Sequence, residues 1–150
     1  MKYLFPFLVL ILFSASCSKK NAEEQAEIDD QIIQQYISDH NLSATATGTG
    51  LYVVIDEPGV GSSCDEFSTV RVVYKGYFPA GGVFDESSAS GIEFGLQGVI
   101  KGWTEGIPHF KEGGSGILLV PSALGYGSNA SGPIPANSVL IFDVELVDVL

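Results

Sequence analysis

The sequence predicts an α+β domain. It should hold an antiparallel β-sheet of about five strands with one short α-helix packed on its apolar face, preceded by a polar helical and linker arm. Three observations carry this expectation. TVRVVYKGYF (69–78) and VLIFDVELVDV (139–149) alternate as half-buried antiparallel strands do. VIKGWTEGIPHF (99–110) instead places apolar residues at 100, 103, 107 and 110, which is helical spacing. The composition also changes at Leu51, from polar and small residues to aliphatic and aromatic runs.

Residues 1–16 are expected to be a signal peptide. MKYLFPFLVLILFSAS carries one basic residue, Lys2, and an apolar run from Tyr3 to Phe13 that is too short to span a bilayer as a helix. Ser14, Ala15 and Ser16 then lead into Cys17. The pattern resembles a bacterial lipobox, with Ser14 in place of the usual aliphatic residue, so Cys17 is the expected lipidation site. Residues 17–50 follow as a lipidated N-terminus, a polar helix and a linker. Ile28, Ile32, Ile33, Tyr36 and Ile37 form a narrow apolar stripe on a helix of about four turns. Docking on the domain or on a partner is open to such a stripe, but the helix reads first as a semi-rigid spacer. LSATATGTG (42–50) reads as a flexible linker.

The domain proper is expected over residues 51–150. LYVVI (51–55) is a strand, closed by a turn at Pro58, Gly59 and Gly61. In TVRVVYKGYF, Val70, Val72 and Tyr74 face one way and Arg71, Val73 and Lys75 the other. PAGG (79–82) is a turn, and VFDES leads out of it. The helix is expected over about residues 100–107, stopped by Pro108, with Gly102 and Gly106 permitting close approach to the sheet. GILLV (116–120) and VLIFDVELVDV complete the sheet, the latter with Leu140, Phe142, Val144 and Leu146 facing inward.

Composition excludes several functions. A formal net charge of -11 argues against a nucleic-acid partner, which needs clustered Lys and Arg. His40 and His109 stand far apart, and no Cys-x-x-Cys or His-x-x-x-His spacing occurs, so neither a metal nor another cofactor is expected. With Cys17 lipidated, Cys64 has no disulfide partner and reads as a half-buried thiol. No Gly-x-Ser-x-Gly elbow or phosphate-cradling glycine loop is present, and Asp65–Glu66 and Asp85–Glu86 read as loop charges. The domain is rich in aromatic residues and poor in acid–base machinery. Rotation of an X-Pro amide suits such a site, because it needs no nucleophile, base or metal. Its barrier of about 18–20 kcal/mol is the resonance of the C–N bond. The twisted amide has lost charge separation, so a dry apolar pocket favours it over the planar form.

The residues resemble the FKBP-type peptidyl-prolyl cis–trans isomerase family. VVYKGYF, VFD, FGLQGVIKGWTEG, LGYG and IPANSVLIFDVEL occur in family order across residues 51–150. The lipobox, polar helix and linker ahead of them are similar to the bacterial envelope lipoprotein members. The resemblance implies a sheet curled around the short helix with the active site between them. It implies catalytic roles for Tyr74, Asp85, Trp103, Tyr126 and Phe142, and substrate-binding roles for Phe84, Ile92, Val99, Ile100 and Ile134. Trp103 would be the floor beneath the proline ring, with Tyr74, Phe84 and Phe142 as walls. The Ile100 backbone N–H and the Tyr126 hydroxyl would donate to substrate carbonyls, and Asp85 would stand near the twisting amide. Proline-containing polypeptides, macrolides of the FK506 class and, through the lipid, a membrane are the implied partners. The implied location is the cell envelope, at the periplasmic face or the outer membrane.

The chain departs from the family in places. Many members carry an Arg a few residues after the FD pair, whereas DESSASGIEF has no basic residue before Lys101. A carboxylate buried without such a partner holds its proton more tightly. Ile92 stands where some members have an aromatic, and GSNASGPIP is small and polar. These departures keep a second reading open, a binding module or holdase with weak or no isomerase activity. A third makes the polar helix a dimerisation or docking arm.

Overall fold

The computed structural model describes residues 14–150, with side chains from Lys19 onward. The apolar run of the expected signal peptide and the Cys17 side chain lie outside the described residues. The chain forms α1 (Ser14–Asp39), β1 (Ala44–Ala46), β2 (Tyr52–Glu57), β3 (Thr69–Tyr77), β4 (Val83–Glu86), β5 (Ile92–Gly95), α2 (Lys101–Gly106), β6 (Ser115–Val120) and β7 (Leu140–Val149). Among the described residues no helix is long and apolar enough to cross a membrane.

The α+β architecture is the expected one, and its sheet has seven strands in the order β1-β2-β6-β7-β3-β4, every pairing antiparallel. β5 pairs with the first half of β3 (Val70 opposite Phe94), and β4 with its second half (Gly76 opposite Asp85). One edge of the sheet is therefore shared by two short strands. Between them Ser87 stands in for a strand residue: its Oγ accepts from Tyr74 N–H at 3.0 Å and its N–H donates to Tyr74 O at 3.0 Å. β1 and β5 are the strands the sequence reading lacks, being too short to show an alternating pattern. Glu86 and Asp85, read as loop charges, belong to β4.

The alternation in β3 and β7 sorts their side chains as expected. Val70, Val72 and Tyr74, with Leu140, Phe142, Val144 and Leu146, are buried on the inner face. α2 lies against that face. A Cβ at Gly102 would fall 2.5 Å from Val120 Cγ1, and one at Gly106 2.7 Å from Leu118 Cδ2, so only glycine lets the helix sit this close. Pro108 does not end the chain's coiling at once. Ile107–His109 continue as a 3-10 turn, which Pro108 tolerates near its start. Ile107 and Phe110 are fully buried.

The arm departs most from expectation. α1 is docked on the outer face of the sheet and is not a spacer. Ile33 and Tyr36 are buried with Val54, Leu119, Val139 and Ile141 in a second core. The outer face calls for this cover because the runs in LLV and VLIF are apolar at consecutive positions, the mark of strands buried on both sides. Burying an Ile side chain contributes about 1.5–3 kcal/mol. The apolar stripe divides: Ile33 and Tyr36 pack inward, while Ile28 and Ile32 stay 45% and 38% exposed. The Tyr36 and Tyr77 hydroxyls lie 3.2 Å apart, and Tyr77 donates to Asp143 Oδ1 at 2.8 Å. Beyond α1, Asn41 adopts φ +52°, the left-handed turn that often follows a helix. The expected linker is thereby reversed into β1, which pairs Ala44 with Val54.

Candidate functional site

Between α2 and the inner face lies an open cavity of about 620 Å³. Its floor is Trp103, the only tryptophan of the chain, which is 4% exposed and sits in the first turn of α2. Three rings meet the indole edge-on: Tyr74 from β3 at 5.0 Å, Phe94 from β5 at 5.3 Å and Phe142 from β7 at 5.4 Å between centroids. Such edge-to-face contacts add about 0.5–1.5 kcal/mol each beyond area burial and fix ring orientation. Phe84 on β4 meets Phe142 edge-on at 5.6 Å. That closure depends on Gly76 of β3, where a Cβ would lie 2.6 Å from the Phe84 ring and 2.9 Å from Phe142.

The rim is backbone and loop. Val99 and Ile100 lead into α2, with Ile100 extended at the N-cap (φ -57°, ψ 147°), where its N–H has no place in the helix's own ladder. Opposite them, Ser131 and Ile134 exchange backbone hydrogen bonds at 2.9 Å in each direction, a tight turn that puts Gly132 and Pro133 at its tip. Ile134 is buried by it. Tyr126 reaches the cavity from the loop after the Ser122–Leu124 turn and is 40% exposed.

The polar chemistry rests on one pair. The Tyr74 hydroxyl donates to Asp85 Oδ2 at 2.6 Å. Burial first, then this hydrogen bond and the charge behind it, push the Tyr74 phenol well above the ordinary tyrosine range. Asp85 itself is exposed and accepts from the Tyr74 phenol, so the premise of a buried, partnerless carboxylate does not hold. Arg71, the arginine of the neighbouring strand, is engaged elsewhere, with Glu93 at 2.6 Å and Asp148 at 2.6 Å.

The fold thus brings Tyr74, Phe84, Asp85, Val99, Ile100, Trp103, Tyr126, Ile134 and Phe142 to one cavity. Ile92 is not among its lining residues. It begins β5, shares a strand face with Phe94 and is 41% exposed. Phe94, two residues on, reaches the indole instead. The sequence reading missed it, although the spacing of Phe94 and the buried Leu96 puts both on one side of that stretch. Gly98 also lines the cavity, as do Ser131, Gly132 and Pro133 of the small polar loop GSNASGPIP. Among the described residues, Trp103 Nε1 is the buried side-chain polar atom left without a hydrogen bond. Cys64 is a free, half-buried thiol packed at the edge of the inner core, its pKa raised first by burial.

Residues 61–147 match the family model described as FKBP-type peptidyl-prolyl cis-trans isomerase. A probable FKBP-type isomerase of Haemophilus influenzae is 38% identical over 143 residues, which span 93% of this chain and 58% of the relative. The FKBP-type isomerase FkpA of Escherichia coli is 38% identical over 133 residues, 87% of this chain and 48% of the relative. The chain therefore spans about half the length of the curated relatives it matches. The crystal structure of FkpA from Escherichia coli superposes with a TM-score of 0.74 at 36% identity, over 90% of this chain and 65% of that one. A peptidyl-prolyl isomerase structure from Pseudomonas syringae pv. tomato gives a TM-score of 0.74 at 27% identity, covering 85% and 94%.

Proposed function

The chain belongs to the FKBP-type peptidyl-prolyl cis–trans isomerase family, and from that membership we propose that it catalyses rotation of X-Pro bonds by non-covalent means. The observation that carries the reading is the cavity floored by Trp103. An ordinary core tryptophan finds a partner for its N–H; this one has none, and its three edge-on neighbours hold it as a surface against which a proline ring can lie. Tyr74, Phe84 and Phe142 wall the ring. The free Ile100 N–H and the Tyr126 hydroxyl hold the substrate backbone, fixing the chain on either side of the bond while the amide turns. The apolar walls favour the twisted amide, whose charge separation is reduced, over the planar one. Asp85, at the polar edge of the cavity, accepts from the Tyr74 hydroxyl and so holds that wall residue in place. The same apolar cavity suits macrolide inhibitors of the FK506 class.

A proline-peptide isomerisation assay on the full chain tests this, with Phe142→Leu and Trp103→Leu as pocket variants. We expect acceleration above background that both variants reduce at least tenfold, a loss of about 1.4 kcal/mol of transition-state stabilisation. Folded wild-type protein without acceleration overturns it. Aggregation suppression surviving both variants would favour a holdase.

The proposal extends to location. A lipid on Cys17 would place the domain in the cell envelope, acting on chains that fold outside the cytoplasm. Palmitate labelling that is lost in Cys17→Ser supports this, and an unlabelled wild-type protein counts against it.

A further inference from the structure

We infer that Asp29, on the docked N-terminal helix, is a positioning residue for the pocket: through Ser122 it fixes the loop that carries Tyr126. The inference rests on the cavity being the isomerase site. Asp29 is 1% exposed and Ser122 2%. Among the described residues the Asp29 carboxylate meets no cation. Its Oδ2 accepts the Ser122 backbone N–H at 2.7 Å and the Ser122 hydroxyl at 2.6 Å, and its Oδ1 accepts the Gln25 side-chain amide at 2.8 Å. A buried carboxylate is costly unless its lone pairs are satisfied, and hydrogen bonds to a charged group are among the stronger kind. Ser122 passes the constraint on. Its carbonyl accepts the N–H of Gly125 at 3.0 Å and of Gly127 at 2.8 Å, the residues on either side of Tyr126. Gly127 O in turn accepts Asn137 N–H at 2.7 Å.

The consequence is directional. Tyr126 is the most exposed aromatic of the cavity, at 40%, and little packing holds it. Its place at the cavity rim depends on the turn beneath it, and that turn is tied to α1. The arm is then part of the site's rigidity, although none of its residues lines the cavity. Tyr126 contacts bound substrate, so loosening its loop should weaken binding more than turnover.

Steady-state isomerase kinetics on the full chain, well below its melting temperature, test this. Asp29→Ala should raise KM about fivefold or more, a coupling of ordinary size between two sites, with kcat within about twofold. Asp29→Asn, whose carbonyl still accepts both Ser122 donors while Gln25 turns to match, should restore KM to within about twofold of wild type. Ser122→Ala, which keeps the backbone bond and removes no buried acceptor, should raise KM by about two- to threefold and serves if Asp29→Ala does not fold. Unchanged KM in Asp29→Ala or, where that fails to fold, in Ser122→Ala overturns the inference, as does an Asp29→Asn variant no better than Asp29→Ala. Wild-type protein without turnover would overturn the isomerase reading instead. Amide exchange at Gly125 and Gly127 then decides the tie by itself: faster exchange in Asp29→Ala supports it, and unchanged exchange sinks it.

Discussion

Tyr74 and Asp85 are joined by a hydrogen bond of 2.6 Å across neighbouring strands β3 and β4, and the phenol is the donor. The carboxylate is therefore held by an uncharged partner. Its usefulness in the site should rest on being an acceptor for Tyr74, more than on its charge.

Substitution at this pair separates the two. Asp85→Asn keeps an acceptor for Tyr74 and should leave kcat/KM within about threefold of wild type. Asp85→Ala and Tyr74→Phe remove the bond and should each cost about fivefold, equivalent to about 1 kcal/mol. Parallel kcat/KM measurements check the ranking, and an Asn variant as poor as the Ala variant would show that the charge is required.

Stability should fall at alkaline pH. Tyr74 and Tyr77 both hold their protons well above the ordinary tyrosine value, each through burial first and then hydrogen bonds: to Asp85 for Tyr74, with Tyr36 and to Asp143 for Tyr77. An unfolded tyrosine ionises near pH 10. Below that value both states keep the proton and stability is unaffected. As pH rises past about 10 the unfolded state loses protons that the native state retains, so unfolding is favoured. Thermal melts at pH 8 and pH 10.5 should show this drop, and Tyr77→Phe should shrink it.

Close approach of α2 to the sheet should be intolerant of one methyl group. In an open helix Gly→Ala gains about 1 kcal/mol. Gly102→Ala instead drives its Cβ to 2.5 Å from Val120 Cγ1, and overpacking of this kind costs about 1–3 kcal/mol. Denaturant unfolding should show net destabilisation that Val120→Ala relieves. Gly95→Ala, with φ -77° and nothing within 4 Å, should be neutral.

The arm should contribute to domain stability. Ile33 is fully buried between α1 and the outer face, so Ile33→Ala should cost about 2–5 kcal/mol. Ile32→Ala, one residue away and 38% exposed, should cost well under half as much. Equal effects in denaturant titrations would mean that α1 does not dock.

Arg71 ties β5 and β7 to β3 through Glu93 and Asp148. All three side chains are at least a third exposed, so Arg71→Met should cost no more than about 1 kcal/mol. Unfolding in 1 M salt should remove most of that difference, because the Debye length there is about 3 Å.

Much of the inner face was legible from residue order alone. Val70, Val72 and Tyr74, and Leu140 through Leu146, alternate over long strands, and period-two burial follows wherever one face meets a core. Gly102 and Gly106 announced the close approach of helix to sheet. Ile92 and Phe94 show the limit. Both lie on one face of a four-residue strand, and only the pairing of β5 with β3 decides which of them meets the indole. The outer face shows it again. Ile33 and Ile32 are neighbours on a narrow stripe, and their fates diverge because α1 meets a surface that exists only once β2, β6 and β7 are side by side. Asp29 is the clearest case. In the sequence it is one of two adjacent acids on a polar helix, a solvated pair by every local rule. Ser122 stands 93 residues away, and the carboxylate is buried because the fold delivers two donors to it there. The sequence by itself determined which residues of the long strands face inward, because that follows from local period and side-chain type; their roles in a pocket came from the resemblance to the family. Tertiary structure alone decided which long-range partners hold the pocket in shape, because hydrogen bonds between distant segments depend on topology.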